Sequence, residues 1–164
     1  MKRTPGLFFF VFAVIACLPA PISGVQSEYT MVVVSGQNSL VKAQTWIDFL
    51  RKNELTVDHY VLSELDQVKD SPYITIMGGL DEAGIKEVLT EVIGEAETAA
   101  LAEKGAKRMF LKEDVWKPGQ KVLVFAGCDA AAAAAARTES KESWMKYLTE
   151  WFDLEDAPGG LRPY

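Results

Sequence analysis

The chain has 164 residues, 49% of them apolar, which is enough to form one domain with a buried core that needs no disulfide. Its formal net charge is −6, and loss of Lys2 and Arg3 with an N-terminal signal would take this to about −8. Such a surface repels phosphate backbones and anionic membranes, which argues against nucleic acid as a partner.

The N-terminus has the pattern of a secretory signal. Lys2 and Arg3 form a short positive segment, and residues 7–15 (LFFFVFAVI) follow as an apolar segment too short to span a bilayer. We therefore expect residues 1–27 to be a signal peptide and tether. The mature protein is then extracytoplasmic, either secreted or anchored at the cell envelope.

Two processing routes remain open for this signal. Residues 14–17 (VIAC) resemble a bacterial lipobox, in which Cys17 is lipidated and becomes the new N-terminus. The alternative is ordinary cleavage nearby, with residues 25–27 (VQS) as the best small-residue site. Contact with the membrane is expected only through this N-terminal anchor, in the case that Cys17 is lipidated.

The rest of the chain alternates strands and helices. The predicted strands are short runs rich in apolar and β-branched residues, at 30–35, 56–62, 73–77, 107–111 and 121–126. The predicted helices are at 39–52, from about 83 to Gly94, at 95–104, and at 129–152 as either one helix or two with a break near 138–140. Asn38 or Ser39 is placed to cap the first helix, and Asp81 or Glu82 to cap the second.

This alternation predicts an α/β fold, a three-layer sandwich around a mostly parallel sheet of about five strands with flavodoxin-like or Rossmann-like topology. A short turn at 117–120 joins the last two strands, so they are expected to form one antiparallel hairpin at an edge. An alanine run at 130–136 would let a helix lie close to the sheet. We expect a single domain over residues 28–152 and a flexible, acidic tail over 153–164.

Two segments carry a family resemblance. Residues 74–89 (ITIMGGLDEAGIKEVL) combine a strand, a Gly-Gly pair and a helix, and residues 116–137 (WKPGQKVLVFAGCDAAAAAAAR) combine a glycine turn, an apolar strand and an alanine-rich helix. Both resemble the small α/β domains of prokaryotic S-layer and related cell-surface proteins, over roughly residues 70–140. Residues 80–83 (LDEA) depart from the family, which tends to have Pro and a nearby Asn there. The resemblance implies a surface-associated domain with no established chemistry.

No motif in the sequence predicts catalysis. Cys128 follows a strand and precedes a helix, a position that lowers a thiol pKa, but a lone cysteine is more often a small packed residue. The only histidine, His59, is in the middle of a strand and is expected to point away from Cys128. One histidine and one remaining cysteine cannot build a usual zinc site, so neither a metal nor a cofactor is expected.

Any ligand is expected where the loops that follow the parallel strands gather at one edge of the sheet. Three such loops are rich in glycine and small polar residues, and backbone N–H groups at the helix starts point toward this edge. The candidate ligand-binding residues are Asn38, Ser39, Gly78, Gly79, Cys128 and Asp129. The simpler interpretation is that these residues cap helices and bind nothing.

Two functions of different classes follow from these observations. The favoured one is a non-enzymatic, exported cell-envelope or surface-associated domain that binds an envelope or surface protein or has a structural role. The alternative is a small-molecule-binding or thiol-active domain that uses the crevice at the carboxyl ends of the strands.

Overall fold

The computed structural model describes residues 30–152. Its helices and strands are, in chain order, β1 (Thr30–Ser35), α1 (Leu40–Lys52), β2 (Thr56–Val61), β3 (Tyr73–Gly79), α2 (Ile85–Ile93), α3 (Glu95–Ala100), β4 (Lys107–Glu113), β5 (Lys121–Gly127), α4 (Ala130–Glu139) and α5 (Lys141–Phe152). Two short 3-10 turns, Gln37–Ser39 and Leu62–Gln67, precede α1 and follow β2. The predicted signal and tether at 1–27, with Cys17, and the predicted tail at 153–164 lie outside the described residues.

The five strands form one sheet in the order β2-β1-β3-β5-β4. All neighbouring pairs are parallel except β4 and β5, which are antiparallel. The predicted α/β fold with a mostly parallel five-stranded sheet and one edge hairpin is therefore confirmed. The β2-β1-β3 part matches the flavodoxin-like order, and its topological switch point lies between β1 and β3.

Helices cover both faces of the sheet, which completes the three predicted layers. One face buries an aromatic cluster from α1, β5 and α5, including Trp46, Phe49, Phe125, Trp144 and Phe152. The other buries aliphatic residues from α2 and the central strands, including Ile74, Ile76, Ile85, Leu89 and Val124. The central strands lack polar alternation because both of their faces are buried.

The alanine run of α4 packs closely against the sheet, as predicted. A side chain added at Gly127 would lie 2.5 Å from the Ala132 Cβ and 2.6 Å from the Ala133 N atom. A side chain at Gly79 would overlap the backbone of Asp129. Only residues without bulky side chains allow this approach, so the glycines and the alanines are needed together.

The structure shows that the last predicted helical segment, 129–152, breaks at Ser140. The chain forms two helices, with Ser140 as the C-terminal cap of α4. The Ser140 hydroxyl donates to the Ala136 carbonyl at 2.6 Å, and its own carbonyl accepts from the N–H groups of Ser143 and Trp144 at the start of α5. This single residue therefore ends one helix and begins the next.

Candidate functional site

The three predicted loops do gather at one edge, because they follow the adjacent parallel strands β1, β3 and β5. They are also tied to one another. The Gly36 N–H donates to the Met77 carbonyl at 3.1 Å, and the Leu80 N–H donates to the Gly127 carbonyl at 2.9 Å. The loops therefore pack as one layer over the carboxyl ends of the strands.

The carboxyl group of Glu82 lies between the first two loops. Glu82 is 6% exposed. Its Oε2 accepts from the backbone N–H groups of Asn38 at 2.8 Å and Ser39 at 3.3 Å. Its Oε1 accepts from the Ser39 hydroxyl at 2.5 Å and from the Gly79 N–H at 3.0 Å. Four donors from two loops thus converge on one side chain at the switch point.

This arrangement corrects two capping predictions. Neither Asn38 nor Ser39 caps the first helix with its side chain, and the second helix begins after Gly84 without a side-chain cap from Asp81 or Glu82. Instead, Glu82 caps the turn that leads into α1, which is more than forty residues earlier in the chain. Capping patterns in the sequence report only local pairs, so this nonlocal cap could not be found from them.

The glycines beside this carboxyl group leave room for protein groups. A side chain at Gly36 would overlap the Glu82 carboxyl group, and one at Gly78 would lie 2.7 Å from the Ile85 Cδ1 atom. The space at Gly79 is filled by Asp129, as described above. The glycines therefore allow a close approach, and Glu82, Ile85 and Asp129 make it.

Asp129 and Cys128 lie at the third loop, and their hydrogen bonds are with groups other than Glu82. The Asp129 Oδ1 accepts from the Ala132 N–H at 2.7 Å and caps α4. This hydrogen bond, with a second from the Ala131 N–H, lowers the pKa of the Asp129 carboxyl group. The half-buried Cys128 Sγ accepts from the Gly105 N–H at 3.3 Å. The candidate residues thus form two groups, with Asn38, Ser39 and Gly79 around Glu82, and Cys128 and Asp129 at the start of α4.

A serine–histidine pair lies beside the switch point, and the sequence did not predict it. The fully buried Ser35 ends β1, and its Oγ is 2.9 Å from Nε2 of His59 on β2. Burial lowers the pKa of His59, the nearby Arg51 lowers it further, and Glu64 opposes both. Because Ser35 itself is fully buried, this part-buried hydrogen bond does not present an accessible nucleophile with its base. Two strands separate β2 from β5, which keeps His59 apart from Cys128.

Two open clefts have none of the candidate residues in their lining. One, of about 410 Å³, runs between α1 and β2 and is lined by Leu40, Val41, Gln44, Thr45, Asp48 and His59. The other, of about 420 Å³, lies between α2 and α3 and is lined by residues that include Leu80, Lys86 and Thr98.

Comparison with known proteins gives no relative for this chain. No protein-family model matches it, and neither the curated proteins nor the solved structures contain a match. Within residues 30–152, no three His, Cys, Asp or Glu side chains are grouped so that they could hold a metal ion. Over the same residues, no helix is both long and apolar enough to cross a membrane.

Proposed function

We propose that this chain is an exported, non-enzymatic domain of the cell envelope or surface, with a binding or structural role toward an envelope or surface protein. The observation that supports this role is the packing of the crevice loops. A doubly wound domain that acts on small molecules keeps its crevice at the switch point open to them. Here the Glu82 side chain and the Gly36–Met77 backbone hydrogen bond occupy that place.

Export is supported by the N-terminal sequence. Lys2 and Arg3 followed by the apolar residues 7–15 have the order of a signal peptide, and the domain begins soon after, with β1 at Thr30. The acidic charge of the chain suits a protein or cell-wall partner better than nucleic acid. The S-layer-like segments at 74–89 and 116–137 agree with a surface location.

The test of this proposal is expression of the full chain in a bacterial host, followed by fractionation and intact mass measurement. We expect a product outside the cytoplasm that has lost its first residues, and a full-length cytoplasmic product would refute the proposal. The Cys17→Ala variant separates the two processing routes. If lipidation anchors the protein, this variant is released from the membrane fraction, whereas ordinary cleavage leaves its distribution unchanged.

A second measurement separates the proposed role from small-molecule binding at the crevice. The purified domain is melted with and without mononucleotides, dinucleotides and inorganic phosphate. Because the protein's own groups fill the crevice, we expect none of these to raise the melting temperature. A saturable rise in the melting temperature with any of these compounds would favour the small-molecule alternative.

A further inference from the structure

We propose that Glu82 is an intramolecular ligand, whose carboxylate occupies an anion-binding position at the switch point and keeps the crevice closed to free anions. This inference goes beyond the proposed function and does not depend on export. It concerns the class of anion that fits the crevice, which is a small monocarboxylate.

The donors that surround Glu82 are those that bind anions in other doubly wound domains. In the turn that leads into α1, the backbone N–H groups of Asn38 and Ser39 point at the carboxylate and carry partial positive charge, and the Ser39 N–H is shared with the Gly36 carbonyl at 3.1 Å. The Ser39 hydroxyl and the Gly79 N–H add two more donors from different loops. All four groups donate, which is the complement of an ionised carboxylate that can only accept.

The charge of Glu82 is balanced by these donors and not by a cation. Within residues 30–152, no lysine or arginine forms an ion pair with Glu82, whereas the ion pairs of that region involve exposed or half-exposed acids. A carboxylate buried without a cation is costly unless its oxygens are fully hydrogen-bonded. The four donors meet that requirement, as they would for a bound ligand.

The backbone around the carboxylate has the form of a cradle. Gly36 approaches one side so closely that any side chain there would overlap the carboxyl group, and a side chain at Gly78 would lie 3.4 Å from Oε1. The Glu82 backbone N–H donates to the Gly79 carbonyl at 3.0 Å, which fixes the direction from which the Glu82 side chain enters the cradle. Gly36 therefore leaves the space that the carboxyl group occupies.

Truncation of Glu82 to alanine tests the proposal, because it removes a CH₂–COO⁻ group, which has the size and charge of an acetate ion. The thermal melt of E82A is measured in sodium acetate and in sodium chloride of equal ionic strength. We expect E82A to melt below the unsubstituted protein, and acetate to raise its melting temperature in a saturable way. Propionate, which is one methylene longer, should act less strongly than acetate in E82A.

The matched control is E87A, because Glu87 is an exposed acid on α2, a few residues from Glu82. Neither E87A nor the unsubstituted protein should respond to acetate more than to chloride. An equal response of E82A, E87A and the unsubstituted protein would overturn the proposal. If E82A does not fold in chloride, it is refolded in acetate, where recovery of the native circular dichroism spectrum supports the proposal and its failure overturns it.

A second variant, E82Q, keeps the shape of the side chain but replaces one accepting oxygen with a donating amide. This amide would face N–H donors, so we expect E82Q to be destabilised and acetate to have no specific effect, since the cradle stays filled. If E82Q is as stable as the unsubstituted protein, the position requires shape alone and Glu82 does not act as an anionic ligand.

Discussion

At the scale of single residues, two tryptophans of the same aromatic cluster differ in whether the indole N–H group has a hydrogen-bond acceptor. The rings of Trp46 and Trp144 meet edge to face, with centroids 4.8 Å apart. The Trp144 Nε1–H donates to the Arg137 carbonyl at 2.7 Å. Within the described residues, the buried Trp46 Nε1–H has no acceptor. An unpaired buried donor costs free energy, whereas a paired one contributes to stability.

We predict that Trp144→Phe destabilises the domain more than Trp46→Phe does. Both changes remove the same ring volume from fully buried positions, so their cavity costs are similar. Only the first breaks a hydrogen bond, and the second removes an unpaired donor, which gives a difference of about 1 kcal/mol in the free energy of unfolding. Urea denaturation of the two variants measures it. Equal losses would mean that the Trp46 N–H has an acceptor in solution.

His59 makes the stability of the domain depend on pH near neutrality. Burial, which is the main cause, lowers its pKa in the folded state below the ordinary value of about 6.5. As the pH falls through this value, the unfolded chain takes up the proton first. The stability that the neutral imidazole contributes is therefore present above about pH 6.5 and is lost as the pH falls toward the folded pKa.

We predict that the free energy of unfolding decreases between pH 7.5 and pH 5.5, and that His59→Gln flattens this dependence. His59 is the only histidine of the chain, so few other groups titrate in this range. Urea denaturation at a series of pH values provides the measurement. A slope that is unchanged in His59→Gln would assign the dependence to other groups. The Asp129 carboxyl group, whose pKa is also lowered, acts only in the acid range below about pH 4.

At the scale of elements, the sequence predicted the strands better than the contacts between them. Apolar, β-branched runs identify a strand by its own composition, and all five predicted strands are present with their ends within two residues. The 3-10 turn at Leu62–Gln67 was missed, because it depends on the Glu64 carboxylate accepting from the Val61 N–H at 3.0 Å. Helix α3 ends at Ala100, earlier than the predicted residue 104.

The two edge strands of the sheet are protected in different ways. On β4, charged side chains such as Lys107, Arg108 and Lys112 flank an apolar centre, as suits an edge strand. On β2, side chains form hydrogen bonds directly with backbone groups of the strand. The Arg51 guanidinium donates to the Val57 carbonyl at 3.1 Å, and Glu64 accepts from the strand's last N–H. Both devices discourage pairing with a strand of another molecule.

We predict that a larger side chain destabilises the domain on one face of α4 and has little effect on the other. Ala133 is fully buried where α4 approaches Gly127, so Ala133→Leu should cost about 1–3 kcal/mol through overpacking. Ala131 is exposed on the other face, and Ala131→Leu should change stability by less than about 0.5 kcal/mol. Thermal melts of both variants measure the difference. Similar melting temperatures would show that α4 lies farther from the sheet than this packing requires.

At the scale of the whole molecule, the layer architecture follows from the sequence, but the strand order and the crevice do not. The alternation of strands and helices restricts the fold to a few topologies. The order β2-β1-β3-β5-β4 and the Glu82 contacts join residues far apart in the chain, and no local pattern encodes such pairs. The sequence therefore indicated where the loops would gather, and the structure was needed to show that Glu82 fills the space between them.

The last prediction is that the mature domain folds without a disulfide. The chain has two cysteines, and removal or lipidation of Cys17 leaves only Cys128, which is a free thiol in the structure. The two core clusters on either side of the sheet supply the apolar burial that a domain of this size needs. We therefore expect the chain from residue 28 onward to have the same melting temperature with and without reductant.

The half-buried position of Cys128 gives this prediction its control. A partly exposed thiol can pair with that of a second molecule under oxidising conditions, and non-reducing electrophoresis would reveal such a dimer. Cys128→Ser abolishes the pairing, and its melting temperature should match that of the reduced protein. The Sγ atom makes only weak contacts, since it accepts from the Gly105 N–H at 3.3 Å and donates to the Asp129 Oδ2 at 3.8 Å. If reductant lowers the melting temperature of the unsubstituted domain but not of Cys128→Ser, then a disulfide between two copies contributes to stability and the prediction is wrong.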